Sequence, residues 1–288
     1  MYAYVIDTGI STTHVEFESG TRAVLGYNAY PDSEFLDVVG HGTHVSCTIA
    51  SGSYGVAKKA TVVAVKVFDA GSVSFPPPNI PSSLFWRWLR LIFVKKKSTT
   101  SIVLDGYTWA VRNITSSVPG RADTSVINMS LGGPYSEAVN SAVGTAFRTH
   151  GVVTVVAAGN NGNDAKNASP ASAPEAVTVG AVDVANKRPD WSNYGPLVDI
   201  FAPGVEVLSC WRGETGTESL VLDGTSMATP HVSGLVLYLK SLGGGGTVGS
   251  GKAAVAVVER LKGIATGGVV TAPGKGSPNL LAYNGNGA

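Results

Sequence analysis

The stretch YVIDTG, residues 4–9, joins an apolar run to a carboxylate and a glycine. An apolar run without a charged position is typical of a strand that is buried on both faces of a sheet. Further apolar runs of strand length recur at residues 61–67, 125–129, 152–157 and 177–181. Because these runs are continuous rather than alternating, they favour parallel strands that are covered on both sides.

Segments with helical periodicity lie between these runs. Apolar residues keep to one helix face in residues 102–114 and again in residues 137–147. We predict two further helices over about residues 226–242 and 253–261. Alternation of buried strands with helices predicts an α/β fold of three layers, with a mostly parallel central sheet and helices on both faces.

Composition narrows the class of protein. Apolar residues make up 44% of the 288 residues, charged residues 14%, and the formal net charge is +1. This balance indicates a packed globular core and gives no field that would select nucleic acid. The apolar segment nearest to a membrane span, residues 84–94, is short and is interrupted by Arg87 and Arg90. We therefore expect no nucleic-acid partner and no membrane partner.

Cysteine usage does not decide the cellular compartment. Cys47 and Cys210 are the two cysteines of the chain. They could form one bridge, but we expect two separate, mostly buried thiols, because free cysteine behaves as a small buried hydrophobe.

The motif Asp7-Thr8-Gly9 follows the first strand directly. A carboxylate at the end of a strand can orient an imidazole. The same three residues also occur in aspartic proteases, where two such loops share a proton. The chain carries this motif once, so that alternative requires a homodimer.

The motif GHGTH, residues 40–44, contains His41 and His44 three positions apart. Two histidines on one helix face could ligate a metal. No glutamate lies between them and no third ligand is evident, so we expect His41 to act in chemistry and His44 to be structural.

The motif GTSMATPH, residues 224–231, places Ser226 at a predicted helix start. A helix N-terminus offers free N–H groups and a positive dipole end to an anion. Pro230 is expected in the first turn, where its missing N–H costs little. Taken alone, the motif is equally compatible with a simple N-cap serine.

The three motifs together identify a family. The order Asp, His, Ser is that of subtilisin, and differs from the orders in chymotrypsin-type and α/β-hydrolase enzymes. The chain resembles the subtilisin-like serine proteases, the peptidase S8 family, and within it the proteinase K-like branch. The matching segments are residues 4–10, 40–44, 54–57, 130–133, 157–160, 224–231 and 278–283. The resemblance implies a subtilisin-like fold.

The resemblance also implies catalytic roles. Ser226 would attack the scissile carbonyl, His41 would take its proton, and Asp7 would hold His41 in the required tautomer. Asn160 would donate its side-chain amide to the oxyanion, together with the backbone N–H of Ser226. We expect no cofactor for catalysis.

Two segments resemble the family's substrate-binding surfaces. The strand that pairs with the substrate backbone would be formed by Ser130, Leu131 and Gly132. One wall of the primary specificity pocket would be formed by Ala157, Ala158 and Gly159. Small wall residues leave a roomy pocket, which favours apolar or aromatic side chains at the P1 position of the substrate.

A structural Ca²⁺ site is implied in the same way. Pro174 and Ala176 would donate backbone carbonyls, and Asp199 would donate a carboxylate. Oxygen ligands of this kind suit Ca²⁺.

Two regions depart from the family pattern. Six residues precede Asp7, so we expect an N-terminally truncated chain whose full-length parent carries a signal peptide and a pro-domain. Residues 73–97 contain a proline triplet, a tryptophan pair and a lysine triplet, and their composition differs from their surroundings. We predict that residues 1–288 form one catalytic domain and that residues 73–97 are a translated, unspliced intron, with a surface loop as the alternative.

The sequence therefore predicts a monomeric serine endopeptidase of broad specificity that acts on protein or peptide substrates through an acyl-enzyme. The parent would be secreted, with a vacuolar location as the alternative. The competing hypothesis is an inactive or misassembled relative that retains the triad residues. General esterase activity is a weaker third hypothesis.

Overall fold

A computed structural model of the protein describes residues 1–18, 20–69, 98–117, 120–243 and 251–286. The predicted insert, residues 73–97, lies outside the described residues. Among the residues that are described, no helix combines the length and the apolar character needed to cross a bilayer.

Nine strands of the described chain form one sheet. In spatial order they are β2 (Ala23–Asn28), β3 (Thr61–Lys66), β1 (Tyr2–Asp7), β4 (Ser125–Met129), β6 (Thr154–Ala157), β8 (Val177–Val182), β9 (Ile200–Pro203), β13 (Leu280–Leu281) and β12 (Thr266–Gly267). Neighbouring strands are parallel throughout, except that β12 pairs antiparallel with β13. The five strands predicted from apolar runs, β1, β3, β4, β6 and β8, are confirmed.

Helices cover both faces of this sheet. They are α1 (His41–Ala50), α2 (Thr100–Ser117), α3 (Glu137–His150), α4 (Thr225–Ser241) and α5 (Gly251–Ile264). Buried side chains of α1, α4 and α5 join one hydrophobic core, and those of α2 and α3 join another. The predicted helices are confirmed, although their ends shift by a few residues.

Strand β1 shows how one strand serves both cores. Ala3 and Val5 contribute to the core under α1 and α4, whereas Tyr4 and Ile6 contribute to the core under α2 and α3. Successive side chains of a strand point to opposite faces, so a strand between two helical layers is apolar at most of its positions. The predicted three-layer α/β architecture is confirmed.

The strand order reverses at β1. The chain runs from β1 to β2 and β3 on one side, and then returns to place β4, β6, β8 and β9 on the other side. Ligands of open α/β sheets bind at the carboxyl ends of the strands, at such a reversal. Asp7 ends β1 and Ser130 follows β4, so both lie at this edge of the sheet.

Two small antiparallel sheets lie beside the main one. Strands β10 (Val207–Cys210) and β11 (Ser219–Leu222) form a hairpin shortly before α4. Strand β5 (Gly133–Pro134) pairs with β7 (Ala168–Ser169).

The two cysteines form a disulfide, so the prediction of two separate thiols is wrong. Cys47 of α1 and Cys210 of β10 are bonded, with their Cα atoms 5.8 Å apart and 163 positions apart in sequence. Both residues are fully buried. Nothing in the local sequence places β10 against α1, and only the tertiary fold brings the sulfurs together.

We predict that replacing Cys47 and Cys210 with alanine lowers the free energy of unfolding by about 2–5 kcal/mol, because the cross-link no longer restricts the unfolded chain. Urea unfolding followed by circular dichroism measures this loss. A reductant present during refolding should lower the free energy of unfolding of the wild-type protein and leave that of the double variant unchanged. Equal urea midpoints for the two proteins would contradict a stabilising role for the bridge.

Candidate active site

A buried hydrogen bond joins the end of β1 to the start of α1. Nδ1 of His41 lies 2.7 Å from Oδ1 of Asp7, and each side chain is 1% exposed. The same oxygen accepts the backbone N–H of Thr8 at 2.8 Å. Because a carboxylate only accepts hydrogen bonds, Nδ1 carries the proton and Nε2 is the basic nitrogen of the ring.

Two glycines allow α1 to approach this loop. Gly40 precedes the helix with a φ of 99°, in the left-handed region that favours glycine. A Cβ on Gly42 would lie 2.2 Å from the carbonyl oxygen of Gly9. The helix therefore packs directly on the backbone of residues 7–9, which brings His41 within reach of Asp7.

A second buried carboxylate, that of Asp37, holds these two segments together. Its Oδ1 accepts from the Thr8 hydroxyl and from the Gly40 N–H, each at 2.8 Å. Its Oδ2 accepts from the N–H of Thr43 at 2.8 Å and from the hydroxyl of Thr43 at 2.7 Å. The Thr8 hydroxyl in turn accepts the Gly42 N–H at 2.9 Å. Asp37 thus caps α1 and fixes the loop that carries Asp7.

Lys66 closes this network from the neighbouring strand β3. Its fully buried Nζ donates to the carbonyl oxygens of Thr8 and Leu36, each at 3.1 Å. Burial lowers the pKa of Lys66, while the Asp37 carboxylate opposes this shift. Sequence reasoning assigned no role to Asp37 or Lys66, because their partners lie on separate segments.

Ser226 is the second residue of α4. Its hydroxyl donates to the backbone oxygen of Ser130 at 3.1 Å, and the Ser130 hydroxyl donates to the backbone oxygen of Ser226 at 2.8 Å. Gly224 is the N-cap and makes no side-chain cap, so the simple N-cap hypothesis for Ser226 is wrong. Helix α4 packs against α1, the helix that begins at His41.

Pro230 explains why Ser130 bonds to the backbone of α4. We predicted this proline in the first turn, but it lies inside the helix, four residues after Ser226. A proline has no N–H, so it cannot donate to the carbonyl of Ser226 as a helical residue would. The Ser130 hydroxyl supplies the missing donor. The hydrogen bond from Ser130 therefore joins the start of α4 to the segment that follows β4.

Asn160 follows β6 and lies next to the start of α4. Its Oδ1 accepts from the backbone N–H of Thr225 at 2.9 Å and from the Thr225 hydroxyl at 2.8 Å. The Thr225 hydroxyl also accepts the N–H of Gly159 at 3.1 Å. These contacts identify the oxygen end of the amide and leave Nδ2 as its donor end.

Asn193 organises the loop that carries Asn160, a role that no local sequence pattern predicts. Its Nδ2 donates to the backbone oxygen of Ala158 at 2.8 Å. Its Oδ1 accepts the N–H groups of Asn161 at 3.1 Å and Asn163 at 2.9 Å. Only 3% of Asn193 is exposed. The side-chain amide of Asn193 thus bonds to backbone groups that have no secondary-structure partner in this irregular loop.

A cavity of about 460 Å³ lies in front of Ser226. Five residues of the predicted substrate-binding surfaces line it, namely Leu131, Gly132, Ala157, Ala158 and Gly159, and so does the predicted oxyanion donor Asn160. Ser130, the sixth predicted substrate-binding residue, is not part of the lining. The lining also includes polar residues that sequence reasoning missed, namely Asn161, Asn163, Asp164, Asn167 and Asn193. The cavity thus combines an apolar wall with a polar one.

The residues implied as calcium ligands lie at the starts of β8 and β9. Pro174 and Ala176 precede β8, and Asp199 precedes β9. Oδ2 of Asp199 accepts the N–H of Thr178 at 2.8 Å, and Oδ1 forms an ion pair with Nζ of Lys262. Lys262 therefore pairs with the carboxylate that the resemblance assigns to the metal.

Comparison with known proteins identifies the family. Residues 4–256 match the Subtilase family of peptidases. This chain belongs to that family.

Relatives of this chain include fungal proteases. It is 55% identical over 285 residues to subtilisin-like proteinase Mp1 of Magnaporthiopsis poae, and 50% identical over 284 residues to alkaline protease 1 of Emericella nidulans. These alignments cover 99% of the chain but only 63% and 61% of the two relatives. A crystal structure of a cold-adapted subtilisin-like serine proteinase matches with a TM-score of 0.78 and 37% identity, over 98% of this chain and 88% of that one.

His44 has a structural position in this subtilase, apart from the Asp7–His41 pair. Its Nε2 lies 3.1 Å from the carbonyl oxygens of both Val207 and Leu220, so Nε2 carries a proton and ties α1 to the β10–β11 hairpin. Burial lowers the pKa of His44 from 6.5 to about 3, and the neighbouring His41 acts in the same direction.

We predict that His44 makes the folded state sensitive to acid. Between about pH 6.5 and pH 3 the unfolded chain binds a proton that the folded chain excludes, so the free energy of unfolding falls as the pH falls. From pH 7 to pH 4 the free energy of unfolding should fall by about 3 kcal/mol more in the wild-type protein than in a His44→Gln variant. The glutamine amide can donate the same hydrogen bond but does not titrate. Urea unfolding at both pH values measures this difference, and parallel losses would contradict it.

Proposed function

We propose that this chain is a serine endopeptidase that cleaves peptide bonds through an acyl-enzyme formed on Ser226. The observation that carries the proposal is the buried Asp7–His41 hydrogen bond of 2.7 Å, at the edge of the sheet where the first turn of α4 carries Ser226. A carboxylate that fixes the imidazole tautomer, and a serine at a helix N-terminus, are the parts that acyl transfer requires.

In the first step the Ser226 hydroxyl turns from the Ser130 carbonyl toward Nε2 of His41. Catalytic hydrogen bonds commonly tighten only when substrate binds. Ser226 Oγ then attacks the scissile carbonyl while Nε2 takes its proton. Asp7 stabilises the resulting imidazolium and remains a carboxylate.

The oxyanion of the tetrahedral intermediate would accept hydrogen bonds from Nδ2 of Asn160 and from the backbone N–H of Ser226. Thr225 supports this role because it holds Oδ1 of Asn160 through two hydrogen bonds, so that the amide is oriented before substrate arrives. His41 then gives its proton to the leaving amine, and water releases the acyl group by the same route.

Substrate recognition would combine backbone pairing with one deep pocket. Residues 130–132 continue from β4 toward β5 at the rim of the cavity, where an extended peptide can add as a strand. The cavity of about 460 Å³ has room for an aromatic or large aliphatic P1 side chain. Its polar wall would accommodate an aromatic side chain with a polar tip, such as tyrosine.

The same proposal includes secretion of the parent protein. The buried Cys47–Cys210 disulfide supports an oxidising compartment, because such bridges persist outside the reducing cytosol.

We predict that Ser226→Ala lowers kcat for a peptide p-nitroanilide with phenylalanine at P1 by about 10⁴-fold or more, because no other group can form the acyl-enzyme. Ser241→Ala, at the exposed end of the same helix, is the matched control and should retain full activity. An original protein that is folded but inactive would support the inactive-relative hypothesis. Undiminished activity of Ser226→Ala would exclude Ser226 as the nucleophile.

We further predict that Asp37→Asn lowers kcat by about 10–100-fold and leaves KM nearly unchanged. An asparagine has one acceptor oxygen, so its amide nitrogen must face a backbone N–H of Gly40 or Thr43, which disturbs the His41 helix start. Asp37 lies outside the residues that line the cavity, so substrate binding should persist.

Steady-state kinetics normalised by active-site titration measure this split between kcat and KM. The matched control is Asp183→Asn, which removes a carboxylate that caps two N–H groups of another turn. A rise in KM at constant kcat, or normal kcat per titrated site, would exclude a positioning role for Asp37.

A further inference from the structure

Asp199 receives a cation from its own chain. Its Oδ1 is paired with Nζ of Lys262 on α5, and its Oδ2 accepts the Thr178 N–H at 2.8 Å. The side chains of Asp199 and Lys262 are 20% and 40% exposed, so the pair lies at the edge of the packed interior. Both carboxylate oxygens therefore already have donors.

These partners do not fit a calcium ion. Ca²⁺ takes six to eight oxygen ligands, with carboxylates as its strongest ones. A lysine ammonium offers three donors and no acceptor, and its charge repels a dication. Calcium could reach Oδ1 of Asp199 only if Lys262 moved away.

The charges around the site are already balanced. Glu175 lies between the two residues implied as carbonyl donors, and its carboxylate pairs with Arg148 of α3. Asp199 pairs with Lys262. A dication at Asp199 would meet a carboxylate that a basic side chain already neutralises.

A positive partner for Asp199 is nonetheless needed. The Asp199 side chain is only 20% exposed, and its oxygens accept from the Lys262 ammonium and the Thr178 N–H. A carboxylate that is mostly removed from water persists as an ion only when it is paired and hydrogen-bonded.

We propose that the Lys262 ammonium takes the place of a structural calcium ion at Asp199, so that this site is stable without metal. The lysine joins α5, which follows the serine-bearing helix, to the strands β8 and β9. A calcium ion would join the same strands through carbonyl and carboxylate oxygens, but it would not include α5.

Thermal unfolding of the full chain in EDTA and in excess CaCl₂ tests this proposal. Every variant carries Ser226→Ala, so that self-digestion does not contribute. With Lys262 present, Tm should be the same in the two buffers. Lys262→Met should lower Tm by roughly 3–8 °C in EDTA, and CaCl₂ should restore most of this loss. Calorimetric titration with CaCl₂ should detect Ca²⁺ binding to this variant and not to its parent.

Matched variants separate the site from general effects of charge. Lys252→Met removes an exposed lysine from the same helix and should respond to neither buffer. Lys262→Arg keeps the charge and should behave as the parent. Asp199→Asn combined with Lys262→Met should abolish the response to calcium. Lys262→Gln replaces Lys262→Met if the latter does not fold.

Three results would overturn the proposal. The first is a calcium-dependent rise in Tm of the Lys262 protein that Asp199→Asn removes. The second is a Lys262→Met variant that matches Lys252→Met in both buffers. The third is a loss of stability in Lys262→Met that calcium does not restore, because the two cations would then not be interchangeable. None of these measurements depends on protease activity, so they remain valid if the proposed function is wrong.

Discussion

The arrangement of the candidate site depends on one buried carboxylate, that of Asp37. It accepts hydrogen bonds from the loop after β1 and from the first turn of α1, and so it fixes the distance between Asp7 and His41. A charged acceptor can satisfy several N–H and O–H donors at once, which a neutral side chain of the same size cannot. The positive charge of Lys66, on strand β3, offsets the negative charge of Asp37. The Asp7–His41 pair is therefore held by groups that themselves take no part in the proposed chemistry.

Ser226, the proposed nucleophile, is held by a second set of hydrogen bonds between remote segments. Pro230 interrupts the hydrogen bonding of α4, and the Ser130 hydroxyl satisfies the carbonyl that this interruption leaves. The helix start is thus joined to the segment after β4, where substrate would pair. Thr225 joins the same helix start to Asn160 after β6. The start of α4 therefore fixes the ends of β4 and β6 relative to each other.

Ties between remote segments extend beyond the site. The Cys47–Cys210 disulfide and His44 both attach α1 to the β10–β11 hairpin, and Lys262 attaches α5 to the start of β9. The disulfide cross-links two buried segments. His44 and Lys262 provide partners for polar groups that would otherwise be buried without a hydrogen bond or an opposite charge. The helix that begins at His41 is consequently anchored on two sides, by the Asp37 network and by the hairpin.

The sequence by itself determined the layers of the fold and the candidate residues for the proposed chemistry. Strands such as β1 and β6 are buried on both faces, so apolar residues fill most of their positions and are visible locally. The motifs around Asp7, His41 and Ser226 are short. Only the tertiary structure decided which remote groups meet. The disulfide, the Asp37 network and the Lys262 contact each join segments that are separate in sequence, and a local pattern carries no information about a partner that the chain brings near only by folding. The interior position of Pro230 was missed for the same reason, because its compensating donor, the Ser130 hydroxyl, lies on the remote segment after β4.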